Sequence, residues 1–242
     1  IQTQSVTYIV QRMTSLAALF YLSSILMYYK SRISFINSKA VIKVLLYAFL
    51  CLLFAVLALL SKQNAASLPL AILLMEALVI NREKGKRQSS LVWLYSSVIL
   101  ISFLVLWIGG FLPRETELIS RTDYFLTQCL VVLKYLYLLV IPLKQNVDHH
   151  VLLLGLDWRL LFAVIFHISL LGFAVYQIKR NAIVAFAVFW FYLSISIESS
   201  IIPIRDLMFE HRLYLATFGF SVGLVFLINY LSKGKKNLTY TI

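Results

Sequence analysis

Long apolar runs, rather than alternating positions, dominate the chain. They fall at 13–29, 39–60, 66–80, 91–112, 124–142, 158–176, 182–197 and 213–231. A helix that spans a bilayer needs about 20 predominantly apolar residues, so each run is a candidate transmembrane segment. The third is short and carries Pro69 near its start. Proline suits a first helical turn, where its missing N–H would have had no partner. The short alternating segments of an outer-membrane barrel do not occur. The expected fold is therefore all-α: a polytopic integral-membrane bundle of seven or eight hydrophobic segments forming a single transmembrane domain over 1–242. No repeat, no low-complexity stretch and no gap wide enough for a soluble domain interrupts it.

Composition sharpens this reading. Hydrophobic residues make up 61% of the 242 and charged residues 13%, against about 45–50% and about 25% in soluble domains. A soluble enzyme, a DNA-binding module and a disordered tail are excluded. The net charge of +12 would point to nucleic acid in a soluble protein. In a membrane protein, basic residues collect in loops retained in the cytoplasm, and no nucleic-acid partner is expected. Cys51 and Cys129 both lie within apolar runs and imply no disulfide framework. Ile1 opens a stretch that is already patterned, so an N-terminal part is expected to precede it.

Charge also sets the expected orientation. Lys30, Arg32, Lys39 and Lys43 flank the first loop, and Arg82, Lys84, Lys86 and Arg87 crowd the loop NREKGKRQSS. Lys179 and Arg180 form a third cluster, and Lys233, Lys235 and Lys236 a fourth. The positive-inside rule makes all four cytoplasmic. The loops at 61–65, 113–123, 143–157 and 198–212 then face outward. Three hydrophobic segments separate the second cluster from the third, and an odd number of crossings would put them on opposite sides. The segment best suited not to cross is 124–142, which contains Thr127, Gln128 and Lys134. It is expected to be re-entrant or to lie along the outer interface, where protein can cover its backbone. The alternative is eight crossings with the C-terminus outside.

Ionisable side chains are costly in a membrane, so their placement is informative. Most acidic residues, and three of the four histidines, lie in the outward loops beyond position 115. The richest stretch, ESSIIPIRDLMFEHRLYL, holds Glu198, Arg205, Asp206, Glu210, His211, Arg212 and Tyr214. Arg212 is suited to hold phosphate oxygens through its planar fork. Glu210 and His211 are the candidates to carry or orient a proton. The bland alternative is an interfacial cluster that pins a helix end. A second stretch, LKQNVDHHVLLLGLDW, offers Gln145, Asp148 and His149 as the lining of a polar cleft. Adjacent histidines on a loop lack a third ligand at metal spacing, and no divalent metal is expected. Lys62, in LLSKQNAASLPL, and Arg12, before the first apolar run, are either interfacial anchors or phosphate contacts. All these residues share the outer face. An active-site cleft there fits better than a midplane transport site, which needs polar or broken helix centres.

Four stretches carry a family resemblance. IQTQSVTYIVQRMTSLAALFYLSSILMYYKSR resembles the Thr-x-x-Val…Arg segment of the transmembrane-and-tetratricopeptide-repeat glycosyltransferases. SKQNAASLPLAILLMEALV is similar to their Lys-Glu…Pro helix junction. TQCLVVLKYLYLLVIPLKQNVDHH is similar to their Thr-Gln segment followed by Pro-x-x-Gln-Asn-x-Asp, and IESSIIPIRDLMFEHRLYLATFGF to their Glu-His-Arg-x-Tyr-Leu-Pro stretch. The matches keep the family's order and cover most of the chain. The resemblance implies a GT-C class enzyme, O-mannosyltransferase-like, that takes a sugar from a polyprenyl-phosphate donor on the extracytoplasmic face. The implied acceptor is a Ser or Thr hydroxyl of an exported protein, and the implied location is the bacterial inner (cytoplasmic) membrane. Arg212, Lys62 and Arg12 would stabilise the lipid phosphate as it leaves. The acidic residue to which the family's catalysis is ascribed lies in its first outward loop, upstream of Ile1. Gln63 stands where the family has Glu, and Ala216 where it has Pro. The repeats that follow the family's membrane part would lie beyond Ile242, so the chain reads as a fragment. The competing expectations are a non-catalytic membrane anchor or assembly subunit, a lipid-linked-glycan ligase, and a transporter.

Overall fold

The computed structural model describes residues 11–37, 40–80, 119–143, 146, 157–199, 203–204 and 207–232. Every regular element among them is helical. Helix α1 spans Arg12–Ile36 and α2 Val41–Ser61. A 3₁₀ turn, Gln63–Ser67, leads into α3 (Leu68–Met75), which widens into a π-helical turn at Glu76–Ile80. Then come α4 (Arg121–Val140), α5 (Trp158–Arg180) and α6 (Ala182–Ile195). A 3₁₀ turn at Glu210–Arg212 opens α7 (Leu213–Ser232). Seven of the eight expected segments are thus present as helix, with Pro69 in the first turn of α3. The segment at 91–112 lies outside the described residues.

Five of these runs, Val41–Ser61, Gln63–Ile80, Arg121–Val140, Trp158–Arg180 and Glu210–Ser232, are long and apolar enough to cross a bilayer. The distribution of side chains agrees. Val41, Ile42 and Phe49 on α2, Leu161 and Ile168 on α5, and Val225 and Leu231 on α7 are all exposed. Soluble monomers seldom show contiguous apolar surface on that scale. The inside, conversely, is rich in polar groups. α1 buries Thr14, Tyr21, Ser24, Tyr28, Ser31 and Arg32 along one face while Leu16, Leu19 and Leu26 point outward. Hydrocarbon offers no hydrogen bonds, so a membrane helix must send its polar residues to protein partners.

Those partners fix the helix directions. Ser24 donates to the Cys51 carbonyl at 2.9 Å and Ser31 to that of Val44 at 3.1 Å, so α1 and α2 are antiparallel. Tyr21 meets Ser67 at 3.1 Å, and Tyr28 donates to Glu76 Oε2 at 2.9 Å, so α3 runs parallel to α1. Arg32 donates from Nη2 to Glu76 Oε1 at 2.7 Å and from Nε at 3.0 Å. The charge pattern groups Arg32 with the basic residues of the first loop; instead it is buried and paired inside the bundle. That pairing explains why α1 runs on to Ile36, seven residues past the end of its apolar run.

On the other side of the bundle, α6 lies against α7. Trp190 Nε1–H donates to the Leu215 carbonyl at 3.0 Å. Gly219 and Gly223, four apart on α7, form the small-residue seam that lets membrane helices approach closely. A Cβ on Gly219 would stand 2.7 Å from Trp190 Cδ1 and 2.9 Å from the Ala187 carbonyl oxygen. His167 of α5 reaches the Tyr192 hydroxyl (2.7 Å) and the Cys129 carbonyl (2.8 Å), tying α5 to α6 and α4.

α4 is one unbroken helix of 20 residues. Its N-terminus is capped by Ser120, whose Oγ accepts the Asp123 N–H at 3.1 Å. Buried Tyr124, Gln128, Val131, Tyr135 and Leu138 recur at intervals of four and three along one face. The three polar members of that stripe bind the chain between α6 and α7. Tyr124 donates to the Glu198 carbonyl (2.7 Å), Gln128 to that of Leu207 (2.9 Å) and Tyr135 to that of Phe209 (2.9 Å). Of the polar residues that set this segment apart in sequence, Gln128 thus binds a neighbouring segment, and Thr127 bonds back to the Asp123 carbonyl within α4.

These directions bring the start of α1, the end of α2, the end of α6 and the start of α7 to one end of the bundle. The α1–α2 and α5–α6 connections and the end of α7 lie at the other.

Candidate functional site

The polar end of the bundle carries a cluster built from three distant parts of the chain. Lys62 is the single extended residue between α2 and the following 3₁₀ turn. Glu198 lies in the turn that ends α6, and His211 and Arg212 in the 3₁₀ turn that opens α7. Lys62 Nζ is 2.7 Å from Glu198 Oε1, and Arg212 Nε is 3.7 Å from Glu198 Oε2. Arg212 Nη1 also reaches the Leu207 carbonyl at 3.4 Å. The His211 ring stacks on Phe209 with centroids 5.1 Å apart, and the Arg212 guanidinium lies 5.9 Å from the same ring. Phe209 is itself anchored, its N–H donating to the Tyr135 hydroxyl at 3.0 Å.

Lys62, Gln63, Asn64, Glu198, His211 and Arg212 line a cavity of about 230 Å³, with Gln11 and Met13 at the start of α1 contributing to its wall. Drug-sized ligands occupy roughly 300–1,000 Å³, so this cavity suits a compact headgroup. Two fixed cations share one carboxylate there, which leaves the triad with a net positive charge. Burial alone would push the Glu198 carboxyl up, but Lys62 and then Arg212 outweigh it and hold it below its ordinary range. The carboxylate is therefore ionised at neutral pH, as expected when opposite charges offset desolvation.

Of the residues singled out from sequence, Lys62, His211 and Arg212 come together in this cavity. Glu210 does not join them. It is buried and accepts the Asn146 N–H at 2.8 Å, holding the chain that follows α4. Arg12 is exposed at the same end of the bundle. Tyr214 packs against the apolar core to which α1, α2, α3 and α6 contribute. Gln145, Asp148 and His149 lie outside the described residues.

Two groups went without a role in the sequence reading. Glu198 was legible only as one acid in a polar stretch; its signal is its place, immediately after an apolar run that ends on the same side as Lys62. Glu76 sits alone inside an apolar run, and a lone acid there is itself a sign of a buried partner. Among the described residues, no group of three or more His, Cys, Asp or Glu side chains is arranged to hold a metal ion.

Scanned against protein-family models, curated proteins and solved structures, the chain matches none. The chemistry of the cavity itself therefore carries the functional argument. A small, water-accessible pocket with paired cations at the edge of an apolar bundle can hold an anionic headgroup whose lipid portion remains in the bilayer.

Proposed function

We propose that the chain is the membrane part of a glycosyltransferase that moves a sugar from a polyprenyl-phosphate carrier to a hydroxyl acceptor. The observation that carries this reading is the convergence of Lys62, His211 and Arg212 on one headgroup-sized cavity. In this reaction the bond between the anomeric carbon and the phosphate oxygen breaks, and negative charge grows on the phosphate. Fixed cations aimed at that charge lower the barrier. Arg212 and Lys62 fill this role, with Arg12 nearby on the same end of the bundle. The acceptor is the Ser or Thr hydroxyl of an exported protein. Lys30, Lys43, Lys179 and Arg180 lie toward the opposite end, and the positive-inside rule makes that end cytoplasmic. The cavity then opens on the extracytoplasmic face, in a bacterial inner membrane.

The test uses the full-length gene product in membrane vesicles, supplied with radiolabelled polyprenyl-phosphate sugars. Label should enter protein with the wild type and fall about 10²–10³-fold with Arg212→Ala, the usual loss for one transition-state donor, with insertion unchanged. Full labelling by the variant refutes the phosphate role of Arg212. No labelling by a well-inserted wild type, across several donor sugars, refutes the enzyme reading.

A second reading is favoured by one observation: Lys62 and Arg212 each lie within ion-pair distance of Glu198, and all three are largely buried. A non-catalytic anchor or assembly subunit would use such a cluster to pin its helix ends.

A further inference from the structure

Glu198 is in an unusual position for a structural counter-ion. Its Oε1 is 2.7 Å from Lys62 Nζ. Its Oε2 is buried and, among the described residues, accepts no hydrogen bond; the Arg212 Nε is 3.7 Å away. A charge-assisted N–H···O bond measures about 2.7–2.9 Å, so the Arg212 contact is the looser arm. Buried polar atoms are nearly always satisfied, and each exception needs an explanation. Here the exception lines a cavity and stands between the two cations suited to a phosphate.

We propose that the Glu198 carboxylate occupies the anion seat between Lys62 and Arg212 when the cavity is empty, yields it to the donor phosphate, and then takes the proton of the attacking hydroxyl. This rests on the glycosyltransferase reading above and gives its proton a destination within this chain. The exchange is like for like at the cations: a phosphate oxygen replaces a carboxylate oxygen on each. The displaced carboxylate loses its two positive neighbours and gains a negative one, and both changes raise its affinity for a proton. The same group is thus a counter-ion before the donor binds and a base afterwards. His211 is the poorer acceptor, because its protonated ring would be a third cation beside two others.

The step balances. The acceptor oxygen forms its bond to the anomeric carbon as that carbon's bond to the phosphate oxygen breaks, and the electron pair leaves with the phosphate. The hydroxyl proton passes to Glu198, and from there to water once the products depart.

The experiment measures binding of polyprenyl monophosphate, and separately of inorganic phosphate, to the detergent-solubilised full-length protein, together with sugar transfer. Glu198→Gln removes the competing charge but keeps the shape. It should bind the lipid phosphate at least tenfold more tightly than the wild type while transfer falls about 10²–10⁴-fold, the usual worth of a general base. Tighter binding of inorganic phosphate as well would show that the headgroup alone drives the exchange; a gain confined to the lipid would show that the chain contributes. Either gain supports the exchange.

A counter-ion with a structural role alone would act on binding through its charge but would leave transfer intact, so the mark of the exchange is tighter binding together with lost transfer. If Glu198→Gln is less stable in the empty state, its melting temperature should rise more on adding lipid phosphate than the wild type's does. Glu198→Asp keeps a carboxylate one methylene shorter and should retain part of the transfer that the Gln variant loses. Unchanged or weaker binding by Glu198→Gln, beside a wild type that binds and transfers, overturns this inference alone. Tighter binding with full transfer also overturns it. A wild type that neither binds lipid phosphate nor transfers sugar overturns it together with the reading beneath it.

Discussion

Among the described residues the bundle holds two buried ionic clusters, one toward each end, and they are built differently. Toward the end that carries the α1–α2 connection, Arg32 meets Glu76 through two nitrogens at 2.7 and 3.0 Å, and Tyr28 adds a third bond at 2.9 Å. All three side chains are almost wholly buried. One cation faces one anion and both oxygens are used: Oε1 accepts from Nη2 and Nε, and Oε2 from Nε at 3.2 Å and from the Tyr28 hydroxyl, charge-assisted bonds of the strong kind. At the other end, one carboxylate serves two cations, one contact is 3.7 Å long, and the group borders a cavity. In the first cluster the carboxylate is saturated, and the pair joins α1 to the π-helical turn after α3. The second is unsaturated and joins α2, α6 and α7 around an opening. Burial of charge is common to both; only the second borders a cavity, and space beside a cation is what an anionic ligand needs.

The contrast breaks most sharply at Arg32. Removing one partner of a buried pair leaves the other charge uncompensated and costs about 3–5 kcal/mol. Arg32→Ala should therefore lower the melting temperature and the yield of monodisperse protein in detergent. Replacing both members, as Arg32→Met with Glu76→Leu, should recover much of that loss, because apolar replacement of a whole pair is often neutral. Equal stability of Arg32→Ala and wild type would show that the pair has no structural role. Lys62→Met and Arg212→Ala, by contrast, should cost transfer before they cost folding.

The seam between α6 and α7 offers a smaller and more selective test. Glu198 follows the end of α6 and Arg212 precedes α7, so the spacing of these two helices sets the spacing of the site. Gly219→Ala places a methyl group against the Trp190 ring and the Ala187 carbonyl, at 2.7 and 2.9 Å. Overpacking of this kind costs about 1–3 kcal/mol. Transfer should fall with it, while the Arg32–Glu76 cluster remains in place. Gly172→Ala is the control: nothing lies within 4 Å of its Cβ position, and an Ala in a helix interior is favoured over Gly by about 0.8–1.0 kcal/mol. A Gly219→Ala protein as stable and active as Gly172→Ala would dissociate the seam from the site.

Much of this architecture is legible in the sequence. The seven described helices follow the apolar runs, because a run of about 20 apolar residues has few alternatives in a bilayer. Helix ends are less legible: α1 passes through Lys30 and Arg32 to Ile36 because Arg32 has a partner 44 positions away. Lys62, His211 and Arg212 are legible as members of one cluster at a single end of the bundle, since each lies at the edge of an apolar run. The neighbours Glu210 and His211 are not separable by pattern. A 3₁₀ turn has three residues per turn, so adjacent side chains point about a third of a turn apart. One faces the cavity and the other binds Asn146. Glu198 acquires a role only when the end of α6 is brought beside Lys62.

The smallest expected effect separates the two clusters by pH. The Glu198 carboxyl is held below its ordinary value of 4.5, chiefly by Lys62 and Arg212 acting against burial. A carboxyl whose folded pKa is depressed binds its proton more readily in the unfolded chain. Its contribution to stability is therefore complete above about the ordinary value and disappears as the pH falls through the lower folded one. Melting temperatures taken from pH 7 down to pH 3 should show an acid-side decline in the wild type that is shallower in Glu198→Gln, where no proton is taken up at this position. Adding polyprenyl phosphate at pH 7 should stabilise the Gln variant more than the wild type, so the same substitution reports on the seat from both directions. An acid-side decline identical in the two proteins would mean that Lys62 and Arg212 do not hold the Glu198 charge in the folded state, and the unsaturated cluster would then differ from the saturated one in geometry alone.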